Sequence, residues 1–491
     1  MLALTALYRF KRLRPLASAE GPLTDEVADG GSDGNASKIT LSSEVGGADT
    51  TADGGPGRNA SGSASFAEAS SAGIAGTGQT SSGEGQALSG RPAPDRRVFD
   101  RGVFMRQGLI CLLLVLAGAV ICCAGLLSVS ISNDSVYYYS TYPSMLVKMG
   151  RCTASMDIFL TNVGQSSAAI NCLPFFLGFD ESFGIQHFLN LNFILIFFRF
   201  AVDFGRRKGL SRRGCLLAGA AATLILLTSE PFLVLSKWVL SNAYFMIFLF
   251  LVCALADRVE EKDFLILEGI FLAMLSLVRM EGGAVAAVVI LAISCRKVPR
   301  KTLILSGILP LFLTQALYYA MLYIGVGADP LYSFQDWRKA ALMLSGILAL
   351  FLYFAFIRSH ISDRLVPFLF LGVLIVGNLG LCLMNRDRYL GNLKAFLQNL
   401  RQGNGWGYTG LFFLFLVIFA ALDLIRKKRI SYWEILTSAL ILTILAASFA
   451  RGGALAVRTS DSGNRALLQI FPVLFYTLYR KGLNLILREQ S

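Results

Sequence analysis

QGLICLLLVLAGAVICCAGLLSVSISNDSVYYY, residues 107–139, carries no charged side chain before Asp134. An uncharged apolar run of this length is typical of a transmembrane helix, because about 20 residues are needed to cross the hydrocarbon core of a bilayer. Lys and Arg are enriched on the cytoplasmic side of membrane proteins. Four basic residues precede the run, so we predict a cytoplasmic N-terminus and place Asp134 just outside the bilayer on the opposite, outer side. The four are Arg96, Arg97, Arg101 and Arg106.

Composition extends the membrane interpretation to most of the chain. Of the 491 residues, 54% are hydrophobic, and the mean hydropathy of +0.58 exceeds that of water-soluble globular proteins. The net charge of +13 comes largely from short runs of Lys and Arg between apolar segments. Such runs set the orientation of membrane proteins. We therefore interpret them as topology determinants and predict no nucleic-acid partner.

Twelve apolar segments predict an all-α polytopic membrane protein with about 12 transmembrane helices, some of them short or broken, and with both termini inside. This count puts the basic runs at 206–208, 426–429 and 480–481 on the inner side, as the charge bias requires. Segment 282–295 covers only about 21 Å at about 1.5 Å per residue, so protein must shield it, and such breaks indicate a pocket. The segments are 107–133, 182–198, 214–229, 238–256, 264–278, 282–295, 302–328, 340–357, 365–385, 408–422, 435–450 and 466–479.

Residues 1–100 are predicted to form a disordered cytoplasmic tail, and residues 101–491 a transmembrane domain. Most of the tail consists of Gly, Ser, Ala, Asp and Thr, which cannot bury enough apolar surface to offset the conformational entropy lost on folding. Its first 16 residues form a basic head without an acidic residue. That head fits an organelle transit peptide, a membrane-surface helix, or an over-extended start with Met105 as the true first residue.

The outer loop, residues 132–181, holds most of the candidate chemistry. A carboxylate at the membrane boundary suits a general base, so Asp134 is the candidate catalytic residue. Tyrosines suit either the interface or the face of a sugar, which makes Tyr137 and Tyr138 candidates for substrate binding. An ordinary loop aspartate beside an aromatic belt is the alternative. Asn133-Asp134-Ser135 is also an N-glycosylation sequon.

Cysteine and histidine point to structural roles. Six of the nine cysteines lie in or beside apolar segments, where they behave as small hydrophobic residues. Cys152 and Cys172 share the outer loop and would form a disulfide if that loop faces an oxidising compartment. No Cys or His cluster has the spacing of metal ligands, so we predict no zinc site.

Arg279-Met280-Glu281-Gly282-Gly283 lies between two apolar segments, where charged side chains are costly in lipid. One interpretation is an Arg–Glu pair that ties a hairpin turn, with glycines allowing the bend. The other is a phosphate site in which Arg279 binds the anion and the glycines let the ligand approach. We favour the second, and count Arg279 and Glu281 as substrate-binding residues.

Glu230 and Arg465 lie at two further breaks that the topology places on the outer side. Glu230 belongs to Thr228-Ser229-Glu230-Pro231, where an apolar helix is expected to end. Arg465 closes Asp461-Ser462-Gly463-Asn464-Arg465, directly before the last apolar segment. Outer arginines run against the charge bias, which favours a role in holding an anion. The basic loop 386–407 contacts either phosphate and sugar or lipid headgroups.

In this order, the elements resemble the GT-C superfamily of glycosyltransferases, which includes the protein O-mannosyltransferases and the aminoarabinose transferase of lipid A. Asp134, followed by Tyr137 and Tyr138, stands where the family has an acidic motif in its first outer loop. Residues 277–282, LVRMEG, look like the family's Leu-Thr-Arg-Pro-Glu-Gly, and residues 464–472 look like its late Arg-Tyr element with a following Pro. Two positions depart from the pattern: Asp134 stands alone where many members have an acidic pair, and Met280 replaces the usual Pro.

The resemblance implies a membrane enzyme whose donor is a sugar on a polyprenyl or dolichyl phosphate. Asp134 would deprotonate a hydroxyl of a glycan, lipid or protein acceptor, which attacks the anomeric carbon with inversion. Arg279 and Arg465 would stabilise the departing lipid phosphate. The implied location is the bacterial inner membrane or the endoplasmic reticulum, with membrane lipids as further partners. Whether a divalent metal assists at Asp134 stays open, and no other cofactor is implied.

Two other classes also need many helices and intramembrane arginines. A flippase or transporter of lipid-linked sugars is expected to have internal repeats, and the sequence shows none. An O-antigen ligase or polymerase is expected to have its long polar loop late in the chain, whereas residues 132–181 come early. A purely structural membrane protein would not keep so many charges at membrane depth.

Overall fold

A computed structural model of the chain describes residues 101–127, 136–150, 153, 156, 164–182, 184–258, 262–279, 281–296, 298–326, 337–415, 418, 422, 430–450 and 455–489. The chain divides into two units, Met1–Ala93 and Pro94–Ser491. The predicted tail, residues 1–100, lies outside the described residues, as does Asp134.

The described residues form helices, and none of them belongs to a β-strand, which confirms the predicted all-α class. A single π-helical turn, Tyr137–Thr141, leads into α2. Two π-helical turns lie within α10 or at its end. The helices are α1 (Arg101–Leu127), α2 (Tyr142–Met149), α3 (Gln165–Phe176), α4 (Gly184–Arg207), α5 (Arg212–Thr228), α6 (Glu230–Lys237), α7 (Ser241–Ala256), α8 (Lys262–Ser276), α9 (Gly282–Ile293), α10 (Arg300–Ile324), α11 (Trp337–Leu352), α12 (Val366–Met384), α13 (Arg386–Gln402), α14 (Tyr432–Ala450), α15 (Ser462–Leu468) and α16 (Phe471–Glu489).

Five of the described helices are long and apolar enough to cross a membrane, or six if the bent pair α5 and α6 is one span. They are α4, α10, α11 with its continuation to His360, α12 and α14. Their outer faces carry large apolar side chains that protein does not cover, such as Val373 and Leu379 on α12. Exposed apolar stripes of this length are stable only in contact with lipid. The chain is therefore a multi-pass membrane protein.

Helix α7 forms the centre of the bundle, since each of its residues from Ser241 to Ala256 is buried. A helix that is apolar on all sides is expected in such a position. Its Phe250 makes edge-to-face contacts with Phe193 of α4 and Tyr476 of α16, at centroid distances of 5.4 and 5.5 Å. These contacts hold α4 and α16 against the central helix.

The central helix α7 begins at Ser241 and ends at Ala256, and the groups beside its two termini define two ends of the bundle. At the basic end, Asp257 after α7 accepts from Arg480 of α16 at 2.5 Å and lies 3.6 Å from Arg207 and 3.7 Å from Arg296. Asp203 of α4 lies 3.3 Å from Arg258, which adds to this cluster. The opposite end, called the site end below, contains the connections α6–α7 and α8–α9, together with α15.

The break predicted within residues 228–231 is present. Helix α5 ends at Thr228, α6 begins at Glu230, and the two axes differ by 59°. Pro231 occupies the first turn of α6, where its missing N–H breaks no intrahelical hydrogen bond. The chain therefore turns sharply at the site end.

The sequence predicted loops in two stretches, and the structure shows helices in both. The outer loop includes α2 and α3, and residues 386–407 begin with α13. The side chain of Asn385 caps α13 by accepting from the Arg388 amide at 3.1 Å, and Asn392, Phe396 and Asn399 face inward. This helix is polar on average, so its sequence contains no apolar run that would indicate a helix.

Candidate functional site

Arg279 lies in the short turn between α8 and α9 at the site end. Its Nε donates to Oε1 of Glu281 at 2.5 Å, and its Nη1 donates to Oδ1 of Asn242 at 2.6 Å. The side chains of Arg279 and Glu281 are 18% and 19% exposed. Nη2 has no partner among the described residues. The guanidinium is thus oriented from two sides and keeps one edge for a ligand.

The turn that carries Arg279 packs tightly against the outer loop. The amide of Ser166 donates to the carbonyl of Leu277 at 3.1 Å, and Ser167 Oγ donates to the carbonyl of Val278 at 3.2 Å. Gly164 has a φ of +89°, and a Cβ there would lie closer than 3.0 Å to both carbonyls. Only glycine fits this position without strain. Helix α3 therefore docks directly on the residues that precede Arg279.

The glycines after Glu281 are also used in packing. A Cβ on Gly282 would clash with the carbonyl oxygen of Leu275, and one on Gly283 would lie 2.9 Å from the methyl carbon of Met343. These contacts bring α8 and α11 against the start of α9. The structure thus contains the hairpin that the first interpretation of this motif required, with the Arg279–Glu281 pair inside it.

Residues 236–242, SKWVLSN, include the end of α6, the short connection and the start of α7. This segment contacts several parts of the site and is called the hub below. Its Asn242 accepts from Arg279. Its Trp238 ring lies under Arg465, with Cζ at 5.6 Å from the centroid. Gln186 of α4 donates from Nε2 to the carbonyl of Trp238 at 2.6 Å. Nothing in this segment resembles a motif, so the sequence does not single it out.

Of the three successive tyrosines 137–139, Tyr139 is the one that points inward. The sequence indicated Tyr137 and Tyr138 as candidates and did not indicate Tyr139. Tyr139 is buried, whereas Tyr137 is 56% exposed and Tyr138 packs its ring on Tyr142 at 5.8 Å. Burial raises the pKa of Tyr139, while hydrogen bonds with Ser241 and the positive charges of Arg279 and Arg465 act to lower that pKa. Both arginines therefore act electrostatically on the same phenol.

Arg465 projects from α15, a short helix that is fixed at its start. Asp461 caps the helix by accepting from the amides of Gly463 at 2.9 Å and Asn464 at 3.2 Å. Asn464 in turn accepts from Nε1 of the fully buried Trp406 at 3.0 Å. This arrangement positions Arg465 on Trp238 of the hub.

Glu230 lies apart from the two arginines. It opens α6, and a Cβ on Gly407 would clash with its carboxylate. Nearby, the hydroxyl of Tyr408 donates to the carbonyl of Thr228 at 3.4 Å. No hydrogen bond or ion pair joins Glu230 to Arg279 or Arg465 in the described part of the chain.

The structure thus joins Arg279 to Glu281 and places both Arg279 and Arg465 on the hub. Among the described residues, neither Tyr137 nor Glu230 forms a hydrogen bond or ion pair with these arginines, and Tyr138 packs on Tyr142. Asp134, the candidate base, lies outside the described residues. Cys152 also lies outside them, so the proposed pairing with the buried Cys172 stays a prediction.

Loop residues 386–407 divide between packing and surface. Arg388 of α13 stacks on Phe449, with Cζ 4.8 Å from the ring centroid, and also donates to the Phe449 carbonyl. Leu390, Leu397 and Lys394 of the same helix line a shallow, open depression. A mixed apolar and basic surface of this kind is typical of a helix lying on lipid headgroups.

Among the described residues, no group of three or more His, Cys, Asp or Glu side chains lies close enough to hold a metal ion. Comparison of the chain with protein-family models, with curated proteins and with solved structures found no match.

Proposed function

We propose that the chain is a membrane glycosyltransferase that moves a sugar from a polyprenyl or dolichyl phosphate to an acceptor hydroxyl, with inversion. The observation that carries this proposal is that Arg279 and Arg465 both contact the hub, where Arg279 donates to Asn242 and Arg465 lies over the ring of Trp238. Two arginines at one membrane boundary form a site for an anion that arrives from the bilayer. A lipid phosphate is such an anion.

Both arginines are suited to binding a phosphate. Glu281 binds Nε of Arg279 and leaves Nη2 without a partner among the described residues, and Arg465 lies over the ring of Trp238. Arginine matches phosphate with parallel N–H groups, which gives both affinity and orientation.

The same charges suit the reaction. A sugar phosphodiester carries one negative charge, and the lipid phosphate that leaves carries up to two at neutral pH. Two fixed guanidinium groups thus interact more strongly with the transition state than with the bound donor, which is the requirement for catalysis. Asn242 and Glu281 hold Arg279 in place before the charge develops.

Asp134 is the proposed general base, as the sequence suggests. It precedes Tyr139 by five positions. A chain of five residues spans at most about 18 Å, so any backbone path keeps Asp134 within that distance of Tyr139. This short separation in sequence supports a role for Asp134 at the site.

An apolar groove supports a donor that arrives with a long lipid chain. The groove has a volume of about 410 Å³ and lies between α5, residues 408–413 and α16. It begins beside Tyr408 at the site end and follows α16 to Ile486. An isoprenoid tail would fit such a surface, with its phosphate toward the site end.

The proposed topology has 12 membrane segments and a cytoplasmic N-terminus. The ion pairs that join residues 207, 257, 296 and 480 support it, because the predicted segments place all four of these residues on the same side of the membrane. Arg207, Arg296 and Arg480 at the basic end favour a cytoplasmic location for that end. The site end then faces the periplasm or the lumen of the endoplasmic reticulum. The acceptor is a glycan, lipid or protein on that side.

The proposal is tested with purified protein in proteoliposomes that contain polyprenyl phosphate bearing a radiolabelled sugar, together with membrane extract as a source of acceptors. We expect free polyprenyl phosphate to appear together with a labelled product, and Ser345→Ala on the lipid-exposed face of α11 to behave like wild type. Movement of intact donor across the membrane without cleavage would indicate a flippase instead. Consumption of only pyrophosphate-linked oligosaccharide would indicate a ligase or polymerase.

A further inference from the structure

Three buried polar atoms, two in the hub and one on Gln186 of α4, have no hydrogen-bond partner among the described residues: Oγ of Ser236, Nδ2 of Asn242 and Oε1 of Gln186. The three residues are at most 4% exposed. A buried polar group without a partner costs about 1–3 kcal/mol, so this set of three requires a reason.

The chemical character of each atom is set by its neighbours. Nε2 of Gln186 lies 3.3, 3.2 and 2.6 Å from the carbonyl oxygens of Leu235, Ser236 and Trp238, so this atom must be the amide nitrogen, and Oε1 is left as an acceptor. Asn242 accepts from Arg279 through Oδ1, which leaves Nδ2 as a donor. The hydroxyl of Ser236 can do both. Gln186 thus offers an acceptor, Asn242 offers a donor, and Ser236 offers a group that can act as either.

This combination of a donor, an acceptor and a hydroxyl fits some classes of ligand and not others. A carboxylate or phosphate would require donors only, and an ammonium group would require acceptors only. Hydroxyl groups donate and accept at once, and neighbouring hydroxyls on a sugar ring match a mixed set. Ser236 and Asn242 belong to the hub, which holds Trp238 under Arg465 and Asn242 against Arg279, and Gln186 is bonded to the hub through the carbonyl of Trp238.

We propose that Gln186, Ser236 and Asn242 form a subsite for an uncharged, polyhydroxylated sugar, adjacent to the phosphate held by the arginines. This inference rests on the proposed function and narrows its donor to a neutral hexose or pentose, rather than an amino sugar or a uronic acid. The three atoms are enclosed by protein, so entry of the sugar requires a neighbouring segment to move.

The test compares the affinities of three lipids of equal chain length for the full-length protein in detergent: polyprenyl phosphate, polyprenyl-phosphate glucose and polyprenyl-phosphate aminoarabinose. The glucose lipid is expected to bind about tenfold more tightly than polyprenyl phosphate, as one or two added hydrogen bonds provide. The aminoarabinose lipid should gain less. Ser236→Ala removes one hydroxyl and should reduce the preference for the glucose lipid to about threefold, with binding of polyprenyl phosphate unchanged.

The outcomes separate the subsite from the proposed function. Normal binding of polyprenyl phosphate with no preference for glucose would overturn the subsite, leave the phosphate site in place and indicate that water satisfies the three atoms. Tighter binding of the aminoarabinose lipid would overturn the neutral class. Failure of wild type to bind any of the lipids would overturn the proposed function and the subsite with it. The wild-type comparison alone decides the matter if Ser236→Ala does not fold, and Ser345→Ala is the matched control.

Discussion

Nη1 of Arg279 donates a 2.6 Å hydrogen bond to Oδ1 of Asn242, which lies 37 residues earlier in the chain. The bond joins the α8–α9 turn to the start of α7, the central helix of the bundle. Because α7 is buried along its whole length, Asn242 is a rigid anchor. The orientation of Arg279 is therefore a property of the bundle rather than of its own short turn.

Asn242→Ala tests this anchoring. The substitution removes the bond but leaves Glu281 to hold Nε of Arg279. We expect the affinity for polyprenyl phosphate to fall about five- to tenfold, which corresponds to about 1 kcal/mol for one hydrogen bond. Titration of the purified variant with polyprenyl phosphate measures the effect. An unchanged affinity would show that Asn242 does not orient Arg279 toward the ligand.

Gly164→Ala tests the docking of the outer loop. The new Cβ would press on the carbonyls of Leu277 and Val278, so the unfolding temperature should fall, with a cost of about 1–3 kcal/mol from overpacking. Gly178→Ala is the matched control, since Gly178 also has a positive φ, of +79°, but open space around its Cα. Equal losses in the two variants would attribute the effect to backbone conformation alone.

Asp134→Asn tests the base. The change keeps the size of the side chain and removes its basicity, so transfer should fall by about 100-fold or more, as is typical of the loss of a general base. Binding of the donor lipid and the unfolding temperature should stay as in wild type. Turnover of labelled donor in proteoliposomes gives the answer, and a normal rate would remove Asp134 from the mechanism.

Asp257→Asn separates structural charges from functional ones. Asp257 accepts from Arg480 and lies near Arg207 and Arg296, so its neutralisation leaves three partly buried cations without their shared partner. We expect a loss of about 3 kcal/mol in stability, measured by unfolding in detergent. Donor affinity should not change, because this cluster lies at the basic end. Reduced affinity in a folded variant would contradict the separation of the two ends.

The sequence was most informative where one residue type has one strong physical preference. The apolar runs predicted the all-α class and the membrane, because few soluble folds tolerate such runs. Pro231 and the polar residues beside it predicted the break after α5. Arg279 and Glu281 stood out because charge between apolar segments requires a partner or a ligand.

The remainder depended on tertiary contacts that spacing alone does not encode. Three successive tyrosines do not reveal which one faces inward, and only the packing selects Tyr139 over Tyr137 and Tyr138. The hub has no motif, because its function comes from its place between α6 and α7. Helix α13 was missed because its inward face includes Asn392 and Asn399, whose partners are backbone carbonyls of residues 448 and 456.

The most direct test of the central claim is mass spectrometry of lipids that co-purify with the protein in mild detergent. The comparison uses wild type, Arg279→Ala, and Arg401→Ala on an exposed part of α13 as control. We expect a polyprenyl-phosphate sugar with wild type and with Arg401→Ala, and its depletion with Arg279→Ala. Equal amounts of that lipid in all three preparations, or a pyrophosphate-linked oligosaccharide in its place, would contradict the account.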